Sequence, residues 1–209
     1  MALRWLAGAA AVVAVGVGAS ACGTNEYRYV SNSSEGAFFK VPSGWELFRI
    51  RQEAPTDRPA PATAGEGPWH VVFDSAPEPD ETHAEESAPT HPVGQALILP
   101  LSASQGDTLS TKQLRSVLFG TDPLDAADQG TGDVEIVDFE QITTGSGLRG
   151  SRVVFNYRVD DGWATADQTT LLDDKASRAY VFEVRCESEC FQEHRDQITQ
   201  IVRSWQVRK

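Results

Sequence analysis

The stretch from Ser151 to Cys186 constrains the fold of this chain more than any other. In SRVVFNYRV, Val153, Phe155, Tyr157 and Val159 alternate with polar residues, the period of a half-buried antiparallel strand. Asp161-Gly162 turns the chain into WATADQTTLL, and a polar turn from Asp173 to Lys175 leads into AYVFEVRC. Three strands joined by hairpins form a meander. Beyond it, Phe191, Ile198, Ile201, Val202 and Trp205 recur at helical spacing. The chain is therefore expected to end in an amphipathic helix packed on a sheet face.

Upstream, EYRYVS, GAFFKV, WHVVFDS (Trp69 to Ser75), QALILPL (Gln95 to Leu101) and VEIVDFEQI have strand character. Pro42-Ser43-Gly44 is a turn that delivers Trp45 to the core; Trp163 and Trp205 are expected there too, and Trp69 is less determined. LSTKQLRSVLFG reads as a helix, with Ser110 as N-cap, Leu114, Val117 and Leu118 on one face, and Gly120 as the stop. Eight of the 11 prolines fall between Pro55 and Pro92, with nine acidic residues from Glu53 to Glu86 and one basic residue, Arg58. Such a stretch buries too little apolar surface to order throughout. A flexible insertion is expected at about 53–92, with Ala76 to Pro92 its more disordered part.

The opening MALRWLAGAAAVVAVGVGASAC has one charge at Arg4, an apolar run from Trp5 to Val17, and small residues before Cys22. This is the grammar of a secretory signal over residues 1–21, and the run is too short to span a bilayer. Ala19-Ser20-Ala21 is an ordinary cleavage site, and with Cys22 it is also a permissive lipobox. An odd cysteine count in an oxidising compartment favours lipidation of Cys22, which leaves Cys186 and Cys190 to pair. Two acyl chains suffice for stable anchoring. The expected location is the outer face of the cell membrane, or the medium as a soluble protein if Cys22 carries no lipid. Cleavage after Ala21 removes Arg4 and leaves 17 basic against 30 acidic residues. That balance disfavours nucleic acid and anionic headgroups, so the anchor is the expected link to the membrane.

Three segments carry a family resemblance: FFKVPSGW, GLRGSRVVFNYRV, and YVFEVRC followed by a helix reaching IVRSW. Together they resemble the PsbP-like superfamily, and the arginine-rich composition suggests its actinobacterial lipoprotein branch. The resemblance implies an α+β fold in one domain over residues 22–209, an antiparallel sheet with helices on both faces. It implies a binding or assembly factor with an unknown protein partner, no catalytic residue and no cofactor. The acidic insertion departs from the compact pattern of the family.

Other motifs weigh little. Gly145-Ser146-Gly147-Leu148-Arg149-Gly150 fits G-x-G-x-x-G, but a strand follows it where a dinucleotide site needs a helix. Cys186, Cys190 and His194 could supply zinc ligands, although the oxidising compartment favours a Cys186 to Cys190 disulfide. Asp80, Glu81, His83 and Glu85 offer oxygen and imidazole donors for a divalent cation, which makes a small-ligand or cation-binding protein the alternative function. A solvated acidic loop is the simpler reading of them, because ordering flexible donors around a cation costs entropy. The chain has no nucleophile elbow, H-E-x-x-H, Walker loop or S-x-x-K motif.

Overall fold

The computed structural model describes residues 26–50, 68–160 and 162–208. The expected signal segment, Cys22 and the first part of the insertion, residues 53–67, lie outside them. The strands are β1 (Tyr27–Asn32), β2 (Ala37–Pro42), β3 (Glu46–Ile50), β4 (Trp69–Asp74), β5 (Val93–Pro100), β6 (Val134–Thr143), β7 (Arg149–Val159), β8 (Gly162–Leu172), β9 (Arg178–Glu187) and β10 (Gln206–Val207). The helices are α1 (Ala103–Thr108), α2 (Thr111–Arg115), α3 (Pro123–Asp128), α4 (Ser188–Glu193) and α5 (Arg195–Ser204). Seven strands form an antiparallel sheet in the order β3-β4-β5-β9-β8-β7-β6, and β1-β2-β10 form a small second sheet. The result is a single α+β domain, as its sequence pattern implies.

Register decides which side chains share a face. Glu183 lies opposite Gln95 and Gln168, while Phe182 lies opposite Ala96 and Thr169. One face of β4, β5 and β9 carries Val71, Phe73, Ala96, Ile98, Tyr180, Phe182 and Val184, which join Phe39, Trp45, Ile198, Ile201 and Trp205 in the main core. At its centre Phe182 stacks on Trp205, with ring centroids 5.0 Å apart, and Phe39 meets Phe182 edge-on at 5.1 Å. Aromatic pairs of this kind each add about 0.5–1.5 kcal/mol beyond area burial. On the opposite face, Phe119 packs against Phe155 and Tyr157, and Leu114 of α2 packs with Leu172 and Ala179. Because both faces are covered, nearly every residue of β8 and β9 is buried, and alternating polarity in their sequences does not translate into alternating exposure.

Three expectations change. The helix expected over LSTKQLRSVLFG is only α2, capped by Ser110 in a capping box, and Val117 is exposed beyond its end. The C-terminal helix breaks at His194 into α4 and α5. Trp45 and Trp205 enter the core, whereas Trp163 is half-buried under the Arg158 guanidinium, 4.6 Å from its ring centroid.

The largest departure is at Ala76 to Pro92. This acidic stretch was expected to be disordered; it contains a short 3₁₀ turn, Glu81–Glu85, and is bonded to the sheet along its length. Buried Asp74 accepts from the amides of Ala76 and Asp80, both at 2.9 Å, and its carboxylate lies 2.7 Å from His83 Nδ1. Arg185 donates to the carbonyls of Ala84 and Glu86, and Tyr157 donates to the carbonyl of Ser87. Composition reflects only how much apolar surface a segment can bury. Here buried polar groups of the sheet satisfy the loop backbone directly.

Candidate functional site

Helix α5 lies against β2 and β9 and leaves a cleft of about 840 Å³ between itself and β6, β7 and β8. Arg195, Thr199 and Arg203, spaced four apart and so on one stripe of α5, form one wall. Asp138 and Glu140 of β6 form the other, and Arg152, Asn156, Thr165, Asp167 and Thr169 lie on the floor between Ile142, Val154 and Leu171. Arg152 binds buried Asp167 through two hydrogen bonds of 2.8 and 2.7 Å and reaches Asp138 at 3.0 Å. Burial pushes the Asp167 carboxyl up, against the opposing pull of Arg152. This pair is the fixed polar centre of the cleft. Arg195 and Arg203 make no ion pair among the described residues.

A second cleft, of about 1,040 Å³, opens at the strand ends beside the loop, where Glu86, Glu135, Asp160, Glu187 and Glu189 surround Trp163. The opposite sheet face holds a buried polar network. His70 Nε2 lies 3.1 Å from Gln95 Oε1, Gln95 donates to Glu183 at 2.9 Å, and Arg185 donates to both Glu183 oxygens at 2.8 and 2.9 Å. Burial lowers the pKa of His70, with Gln95 opposing.

The residues singled out from sequence are distributed as follows. Cys186 and Cys190 form a disulfide with Cα atoms 6.0 Å apart, at the junction of β9 and α4. His83 turns to Asp74, and Asp80 caps the 3₁₀ turn through the amide and hydroxyl of Thr82, both at 2.8 Å. Glu81 and Glu85 are not drawn to them: among the described residues no group of three or more His, Cys, Asp or Glu is placed to hold a metal ion. The Asp74 hydrogen bond raises the pKa of His83 against a smaller effect of burial. Gly145 to Leu148 lie in the hairpin turn between β6 and β7, and Arg149 and Gly150 open β7. Sequence reading did not find the cleft beside α5. Its one local signal is the Arg195, Thr199, Arg203 stripe, whose neighbours across the cleft come from β6, β7 and β8, more than 20 residues away.

Over 90% of this chain and 96% of the other, the structure is similar to cyanobacterial PsbP (CyanoP) from Synechocystis, with a TM-score of 0.52 at 15% identity. The chain has the PsbP-like fold. Two other comparisons are more distant: the yeast Ran-binding protein Mog1p, with a TM-score of 0.44 at 12% identity over 87% of this chain and 95% of that one, and LpqN, involved in cell envelope biogenesis of Mycobacterium tuberculosis, at 0.39 and 11% over 90% and 88%. Likeness at that level carries no argument about this chain. No family model and no curated protein sequence matches it. A shared fold does not carry function with it; the sites that carry it are this chain's own clefts.

Proposed function

We propose that this protein is a lipid-anchored binding or assembly factor without catalytic activity, held on the outer face of the cell membrane through Cys22, in the manner of an actinobacterial lipoprotein, with its partner seated beside α5. The observation that carries this reading is the α5 cleft. Its volume and its mixture of apolar walls with a few fixed polar groups suit recognition. Its charged centre, Arg152 with Asp167, is a mutually neutralised pair and not a nucleophile set against a base. The secretory pattern ending in Cys22 and the Cys186–Cys190 disulfide support an oxidising, extracytoplasmic setting.

Two measurements test the proposal. Intact mass spectrometry of the membrane fraction should give residues 22–209 plus a diacylglyceryl group, gaining two protons on reduction. An unlipidated mass in the medium would remove the anchor. A photo-cross-linking amino acid placed at Thr199 should capture a partner in membranes, while the same group at Tyr29, exposed on β1, should not. Equal capture at both positions, or none at Thr199, would remove the cleft as the binding surface.

A further inference from the structure

Resting on that binding role, we propose that the α5 cleft receives an extended peptide segment of a partner protein carrying two acidic residues four positions apart. The first argument is one of size. The cleft runs from Leu148, just before β7, along that strand to Asn156, eight steps or about 26 Å at roughly 3.3 Å per residue. Its volume of about 840 Å³ then corresponds to a mean cross-section of about 30 Å². A single strand takes up roughly 4.8 Å by 10 Å in stacked sheets, which is of that order. An α-helix, 10–12 Å across with its side chains, needs roughly 80 Å² or more and is a poorer match to the width of the cleft than a strand.

The second argument is hydrogen bonding. Thr169 on the floor, and Thr199 and Gln192 on the helical wall, line the cleft with side-chain groups that have no protein partner among the described residues. They are placed to meet the main chain of an extended segment, whose N–H and C=O groups require partners when buried. The third argument is charge. The chain carries a formal net charge of −12, yet Arg195 and Arg203 stand on this wall unpaired, while Asp138 and Asp167 are occupied by Arg152 and only Glu140 faces them as a carboxylate without an ion pair. An anionic group is drawn to the helical wall. Arg195 and Arg203 are separated by eight helical steps, about 12 Å. Four steps of an extended chain cover about 13 Å and return side chains to the same face. Acidic residues at i and i+4 therefore meet both arginines at once.

The test uses four acetylated, amidated heptapeptides of alternating Thr and Val. The first has Glu at positions two and six, the second Glu at two and five, the third Gln at two and six, and the fourth Lys at two and six. Binding to the mature protein is measured at low and high salt. The indole N–H of Trp205 serves as reporter: Trp205 lines the cleft, and this group has no hydrogen-bond acceptor among the described residues. The first peptide should bind about tenfold more tightly than the third, weaken with salt and shift the Trp205 signal. Arg195→Glu with Arg203→Glu, both exposed positions that leave the core untouched, should transfer the preference to the Lys peptide. Equal binding of all four peptides, no preference for i+4 over i+3 spacing, or an unchanged preference in the double variant would overturn the inference. If no peptide binds while cross-linking from Thr199 still captures a partner, the inference fails and the binding role stands.

Discussion

Replacing Arg185 by Met tests the claim that buried polar groups order the acidic loop. Arg185 is only 7% exposed, and its charge compensates Glu183, which is 1% exposed. Burial works against the Arg185 charge, but Glu183, together with Tyr157 and Glu86, raises the pKa. Arg185→Met keeps much of the side-chain volume but leaves the Glu183 carboxylate buried without a counter-charge and the Glu86 carbonyl without its donors at 2.9 and 3.1 Å. Breaking a buried pair from one side costs about 3–5 kcal/mol. For a chain of this size that corresponds to a fall in melting temperature of roughly 6–20 °C. The cost should appear as a lower urea midpoint in equilibrium unfolding of the mature chain. It should be accompanied by faster amide exchange at residues 84–88. Adding Glu183→Gln should recover part of the loss, since the orphaned charge is then gone. A loss below about 1 kcal/mol, or a double variant less stable than Arg185→Met alone, would refute the reasoning.

The two histidines of this region should respond to pH in opposite senses. His83 has a folded pKa above its ordinary 6.5, so its bond to Asp74 contributes fully below that value and is lost as the pH rises through the folded pKa. His70 has a folded pKa below 6.5, so its protonation favours the unfolded chain and stability is lost as the pH falls below 6.5. Stability measured from pH 5 to 8 should therefore slope oppositely in His83→Gln and His70→Gln, each relative to the parent; slopes of the same sign would contradict the assignment. Opening the Cys186–Cys190 bridge with a pair of serines closes no loop in the unfolded chain and should cost about 2 kcal/mol, or roughly 4–8 °C in a melting scan. Gly150→Ala places a Cβ 1.9 Å from the Thr170 carbonyl oxygen across β7 and β8. It should cost roughly 3 kcal/mol or more, visible as lost soluble protein or a collapsed urea midpoint.

Elements whose signal is local were legible from sequence. Val153, Phe155 and Tyr157 announce β7 because side chains two apart share a strand face, and Ile198, Ile201 and Val202 announce α5 because residues three and four apart share a helical one. Ser110 is an N-cap by its own side chain, and Cys186 and Cys190 lie close enough in sequence to bond across one turn. Residues 76–92 were misread because their order depends on Asp74, Tyr157 and Arg185, the last bonding carbonyls 99 and 101 residues away. No composition window contains such a partner. The α5 cleft is likewise a product of the whole fold. Packing Ile198, Ile201 and Val202 into the main core sets α5 over β9, and only then do Arg195 and Arg203 face the residues of β7 and β8 that floor the cleft. Periodicity thus determined the strands and the amphipathic end of the chain. The ordered loop and the cleft were decided by tertiary packing, because hydrogen bonds and shape join residues that the sequence keeps far apart.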